Sequence, residues 1–170
     1  MNQGRLSVEF RNRTKAFAAG AIQLFVKLPK GREEVRVLGK QLLRSGTSVA
    51  AHTREASRGR SDEEFVSKLG GALQETDESQ MWLELLREEC GIEPALTFSM
   101  EKESSELMAI FTTMINKTKN KAERRNAGKT EMLPGEVTKA DFTGQGKQKT
   151  EIYDAERHDP FPLSHFNFGL

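Results

Sequence analysis

Hydrophobic positions recur along this chain at alternating steps of three and four residues, in four blocks separated by corners that carry glycine or proline. In the first block Phe10, Phe17, Ala21, Leu24 and Leu28 mark one face. Thr14 fills its gap, and Ala18, Ile22 and Phe25 widen it to the breadth a bundle core needs. The spacing predicts a helix over 9–28, stopped by Pro29, which cannot continue a helix, and relaxed by Gly31.

The second block opens with Glu33 and Glu34, suited to the positive end of a helix dipole. Its seam reads Val35, Leu38, Leu42, Ser45, Val49, His52, Ala56, large at first and then small or polar, and Gly59 supplies the stop. Ser61-Asp62-Glu63-Glu64 reads as a capping box that starts a third helix, 62 to about 90. Its seam is Phe65, Leu69, Ala72, Thr76, Ser79, Leu83, Leu86 and Cys90, flanked by Val66, Leu73, Trp82 and Leu85. The small stretches Ser45–Val49 and Ala72–Ser79 face each other if the two helices are antiparallel, which predicts the tightest crossing there. Gly70 and Gly71 cost roughly 1 kcal/mol each against alanine in a helix, so close packing is their expected reason. After the break at 91–94, a fourth helix is expected from Ser99 to about Lys119, with Met100, Leu107, Phe111, Met114 and Thr118 on its seam and Ile110 and Ile115 beside it.

Together these patterns predict an all-α, antiparallel up-down-up-down four-helix bundle over 9–120. Beyond it, 121–170 mixes charges of both signs with glycines and no helical periodicity, the composition of a largely disordered, flexible tail. The tail ends in an apolar peptide containing Phe161, Leu163, Phe166 and Phe168. A frayed chain end is preferred there to a docking peptide.

The formal charge of +1 conceals a segregation by helix. Residues 1–31 carry six bases and Glu9, and 32–60 carry seven bases and three acids, whereas 61–93 carry ten acids against Lys68 and Arg87. Lys40, Arg44, Arg54, Arg58 and Arg60 form the candidate nucleic-acid-binding set, since a line of cations on one helix face can neutralise successive phosphates. Ion pairing with the acid-rich third helix, Glu75 and Glu78 included, competes evenly with that role. No aromatic residue stands among the arginines to stack a base.

A catalytic or metal reading finds little support. Glu75 and Glu78 share a face, but no Glu-x-x-His motif completes a di-metal site, and structural salt bridges are the preferred explanation. His52 on the seam reads as a satisfied core hydrogen-bonder, and Cys90 as a buried thiol. No glycine-rich phosphate loop, nucleophile elbow or zinc spacing is present, so no catalytic residue, cofactor or metal is assigned. The lone cysteine excludes an intrachain disulfide framework, and neither a signal peptide nor a membrane span is visible. A cytoplasmic location is expected.

The stretch QLLRSGTSVAAHTREASRGRS at 41–61, followed by DEEFVSKLGGALQETDESQMWLELL, resembles the four-helix bundle proteins encoded within intervening sequences of bacterial 23S ribosomal RNA genes. That family also includes the accessory variability proteins of diversity-generating retroelements. The likeness rests on Leu42-Leu43-Arg44-Ser45, Thr47-Ser48-Val49, Arg54-Glu55-Ala56, Ser61, Phe65, Lys68-Leu69, Ala72, Glu75, Glu78 and Trp82-Leu83, and departs from the usual pattern at His52 and Thr53. It implies a homopentamer with a basic surface and places Trp82, with Met81 and Leu85, at a subunit interface. For the retroelement members it implies nucleic acid and a reverse transcriptase as partners. The expected role is a non-enzymatic oligomeric scaffold that binds RNA or DNA backbone; the alternative is a structural or protein-interaction module without nucleic-acid binding.

Overall fold

Ser7 begins the first helix by accepting the Phe10 amide at 3.2 Å, leaving its own backbone extended. In the computed structural model, which describes residues 4–130 and their side chains to 127, four helices follow: α1 Val8–Lys27, α2 Glu33–Ser57, α3 Asp62–Glu88 and α4 Pro94–Thr130. They touch in ring order, α1 with α2, α2 with α3, α3 with α4, and α4 with α1, the last pair least extensively. Among the described residues only neighbouring helices bring their backbones close, which is the expected up-down-up-down arrangement.

The capping box at α3 forms with a small variation. Ser61 Oγ accepts from the Glu64 amide at 3.1 Å, while Glu64 reaches back to the amide of Arg60 at 2.9 Å, one residue before the cap. Gly91, at φ 62°, turns the chain out of α3 in the left-handed conformation that glycine tolerates best. The fourth helix differs from expectation at both ends. Pro94 does not delay it but occupies its first position, where a missing amide hydrogen costs nothing and the fixed φ suits the helix. At the other end the helix passes Lys119 and runs to Thr130. The stretch KNKAERRNAGK lacks an apolar seam but is rich in lysine, arginine, alanine and glutamate, residues of high helix propensity. A boundary drawn at 120 therefore cuts through a helix. The expected tail from 131 onward, with its apolar peptide, lies outside the described residues.

The third helix buries all eight of its expected seam positions, from Phe65 to Cys90. On α1, Thr14, Phe17, Ala21, Leu24 and Leu28 are buried as the pattern requires, but Ile22 is 48% exposed. On α2 the buried face rotates toward α1: Gly39, Gly46 and Thr53 are buried at seven-residue spacing, and Thr53 takes the inward place that the seam assigned to His52. His52 is only half-buried, and its ring lies where a Cβ on Gly71 would come within 3.2 Å.

Small residues set two close crossings rather than one. Ser45 Oγ and Ser79 Oγ lie 2.8 Å apart in the α2/α3 contact, at the place predicted. The second crossing, between α1 and α2, was not anticipated. A Cβ built on Gly46 would lie 2.7 Å from Ala21 Cβ, and one on Gly39 would lie 2.7 Å from Leu28 Cδ1. Gly70, by contrast, has nothing within 4 Å of a built Cβ, so close packing does not account for it. Buried hydroxyls return to their own helix, as Thr53 to Val49 O at 2.8 Å and Thr76 to Ala72 O at 2.7 Å, so the polar seam leaves few orphaned groups.

Candidate nucleic-acid interface

The five cations expected to act together do not share one environment. Lys40 is exposed and bears no ion pair among the described residues. Arg44 leans across to α3, where its guanidinium meets Glu78 at 2.5 Å and Glu75 at 3.4 Å. Arg44 holds the Glu78 carboxyl below the usual carboxylate range; burial opposes this, and the Trp82 indole N–H, donating at 3.1 Å, adds to it. Arg60 sits in the loop before α3, its backbone amide held by Glu64.

Arg54 and Arg58 lie on the other flank of α2. There they line a groove against α1 together with Arg11, Asn12 and Val8, and a neighbouring hollow with Lys15, Thr47, Ala50 and Ala51. Arg44 and Arg54, ten residues apart, point about 80° apart around the helix, whereas Arg58, expected on one face with Lys40 and Arg44, is the C-cap and leaves the helical period there. Glu55 is the acid that lines this groove, and its carboxylate is engaged by Lys68 at 2.8 Å. That hydrogen bond is the leading cause of a Glu55 pKa below the usual range.

Most of the remaining arginines differ, Arg60 and Arg124 being exceptions among the described residues. Arg5, Arg13, Arg32, Arg36, Arg44 and Arg87 each pair with at least one carboxylate, as in the fork of Arg13 on Glu103 and Glu106 at 2.7 and 2.5 Å. Among the described residues Arg11, Arg54 and Arg58 have no carboxylate within salt-bridge distance, and Lys15 has none either. The Nε of Arg11 is buried and has no hydrogen-bond partner. Arg11 and Arg58 still act at longer range on Glu9 and Glu55, but four cations without a close carboxylate partner beside a groove make an anion-attracting surface. Arg11 and Lys15 went unassigned at the level of sequence because α1 was read for its seam. Their one-turn spacing was the available signal.

Residues 7–113 match the family of 23S rRNA-intervening sequence proteins. The chain belongs to this family. The match takes in α1 to α3 and the first half of α4, so Arg11, Lys15, Arg54 and Arg58 fall within it. Among solved structures the chain is similar to a protein of unknown function from the S23 ribosomal protein family of Bacteroides thetaiotaomicron. They share 33% sequence identity and a TM-score of 0.57, over 62% of this chain and 96% of that one. No curated protein matches the chain.

The interface residues expected of the family are partly accessible. Met81 is 43% exposed, while Trp82 and Leu85 are half-buried. The indole is linked through Glu78 to Arg44. No described helix is long and apolar enough to cross a membrane, and the described residues hold no metal-binding group of histidine, cysteine or carboxylate side chains.

Proposed function

We propose that this intervening-sequence family protein is a non-enzymatic, oligomeric helical-bundle scaffold that binds the backbone of RNA or DNA. The observation that carries the reading is the groove between α1 and α2, where Arg11, Lys15, Arg54 and Arg58 remain unpaired although most other arginines are neutralised. The half-buried acids Glu75 and Glu78 compete away Arg44, so binding rests on the α1 shoulder of α2 rather than on the whole helix. In a cytoplasmic homo-oligomer, a pentamer by family resemblance, each copy repeats the groove, and symmetry raises avidity without any new contact. A retroelement accessory role, with a reverse transcriptase as protein partner, is the finer form of this proposal.

The test is a titration of labelled duplex and single-stranded nucleic acid at several salt concentrations. Four phosphate contacts give a slope of about −3.6 in log K against log salt on duplex DNA, so affinity falls roughly 100-fold between about 50 and 200 mM. Arg54→Glu with Arg58→Glu removes at least about half of that dependence. A salt-independent signal, or a charge-reversed variant that binds like the parent, refutes the proposal.

A second reading draws on the opposite end of the bundle. Ile22 and Val26 near the end of α1 and Phe98 near the start of α4 are 48, 64 and 67% exposed. Such side chains suit a protein contact, and a protein-interaction module without nucleic-acid binding would use them alone. Loss of oligomerisation in Phe98→Ser with Val26→Ser, alongside absent nucleic-acid binding in the parent, would favour that reading.

A further inference from the structure

The last turns of α4 form a second cationic surface that neither the family match nor the seam pattern accounts for. Phe111 packs edge-on against Phe10, ring centroids 5.6 Å apart, and α1 begins two residues before Phe10. Below that level α4 continues to Thr130, beyond residue 113 where the family match stops. Here one flank of α4 faces α3 across a hollow lined by Thr118, Lys119 and Ala122 on one side and Asp62, Glu63, Val66 and Ser67 on the other. The other flank presents Lys117, Asn120, Lys121, Arg124 and Arg125, with no residue of another helix lining the hollow between them. Arg125 reaches Asp62 at 3.5 Å; Lys117, Lys121 and Arg124 have no ion pair among the described residues.

Structural explanations for this strip are weak. Cations favour the C-terminal end of a helix dipole, but only within the last turn, and Lys117 lies far from Thr130. Like charges at one-turn spacing, as at Lys117, Lys121 and Arg124, destabilise a helix by a few tenths of a kcal/mol per pair. Glu123 is the acid in this stretch, and it does not line the hollow. The strip also lies at the same end of the bundle as the α1/α2 groove. Arg5 donates its amide to Ser57 O at 2.8 Å, next to Arg58, and its side chain pairs with the same Asp62 that receives Arg125.

We propose that the α4 strip of Lys117, Lys121 and Arg124 is a second backbone-binding surface, and that with the α1/α2 groove it grips double-stranded nucleic acid. This rests on the nucleic-acid reading of the groove and adds a site and a partner class to it. The three cations sit on a stiff helix and span about 10 Å of rise, a rigid row matched to phosphates that are themselves fixed in place by a duplex. Neither surface is lined by an aromatic side chain, the feature on which unpaired bases stack in single-strand binders.

The experiment uses the full chain and a labelled duplex, with the salt slope as readout. The triple variant Lys117→Gln, Lys121→Gln, Arg124→Gln loses up to about 2.7 of the slope on duplex DNA, and Arg54→Gln with Arg58→Gln loses about 1.8. Circular dichroism verifies that the helices persist, and Lys121→Gln alone, expected to lose about 0.9, serves if the triple variant is misfolded. If the parent binds and the α4 variants keep its full slope, the second surface is wrong while the groove proposal stands. If Arg54→Gln with Arg58→Gln also leaves the slope intact, the groove proposal fails as well. A single strand of equal length, or polyglutamate, displacing the label as effectively as duplex overturns the assignment of a duplex partner.

Discussion

Replacing Gly46 by alanine should destabilise the bundle although alanine is the better helix former. In a helix interior the exchange contributes about 0.8–1.0 kcal/mol in favour of the folded state. Against this, the new Cβ would lie 2.7 Å from Ala21 Cβ, where carbon atoms in contact normally lie at about 3.5–4.0 Å. Both atoms are fixed directly to backbones, so no rotamer change relieves the overlap, and α1 and α2 must separate. Overpacking of this kind costs about 1–3 kcal/mol, so the net effect is a loss of about 1 kcal/mol. Gly70→Ala is the internal control: a Cβ there meets nothing within 4 Å, and the propensity gain stands alone. The two substitutions should therefore differ in sign and by about 2 kcal/mol. Urea denaturation followed by circular dichroism resolves that difference. Ala21→Gly combined with Gly46→Ala should recover the overpacking term, giving a coupling energy of at least about 0.5 kcal/mol. A Gly46→Ala protein as stable as its parent, or strict additivity with Ala21→Gly, would refute the close α1/α2 contact.

Phe111 is fully buried and edge-on to Phe10, so Phe111→Ala should cost about 3–5 kcal/mol in the same denaturation assay; a loss under about 1 kcal/mol would mean the site is not enclosed. Glu78, Asp62 and Glu55 have folded-state pKa values lowered by hydrogen bonds from Arg44, Arg5 and Lys68 respectively. A lowered pKa contributes stability above the unfolded value of about 4, and that stability is lost as pH falls through the folded value. Melting temperature should hold steady from neutral pH and drop below about pH 4.5, less steeply in Arg44→Gln; a flat profile to pH 3 would contradict the pairs. Arg44→Gln and Arg58→Gln should separate stability from binding. Removal of the paired residue alters the acid limb and leaves the salt slope intact, whereas Arg58→Gln leaves stability within about 0.5 kcal/mol and lowers the slope by about 0.9.

Most of the bundle was legible because apolar periodicity reports burial directly. Every position of the α3 seam is buried, and the Ser45–Ser79 contact falls where two small stretches were matched across an antiparallel pair. The errors share one cause, that a seam of threes and fours states which residues point inward on average but not which neighbour each one meets. Ile22 lies at the margin of the α1 face, on the same side as Arg11 and Lys15 and away from α4, and is left exposed. Gly39 and Gly46 carry no hydrophobic signal, so the stripe that brings α1 close was invisible until both helices were placed. The end of α4 was missed because its helix is maintained by propensity and by one flank on α3, with no seam to read.

The same limitation governs the candidate site, and there it concerns charge. Sequence places Lys40, Arg44 and Arg58 on one exposed face, with Arg54 one turn from Arg58, and leaves pairing and binding in balance for all of them. Structure separates them, because an exposed face on a bundle helix has two shoulders that look toward different neighbours. The α3 shoulder looks onto Glu75 and Glu78, and Arg44 is neutralised there. The α1 shoulder looks onto Arg11 and Lys15, so Arg54 and Arg58 face like charges. Close ion pairing therefore does not hold these residues, and under the proposed function a polyanionic ligand would complete their compensation. Which arginines pair with acids thus follows helix order in the ring: acid-rich α3 lies on one side of α2 and base-rich α1 on the other.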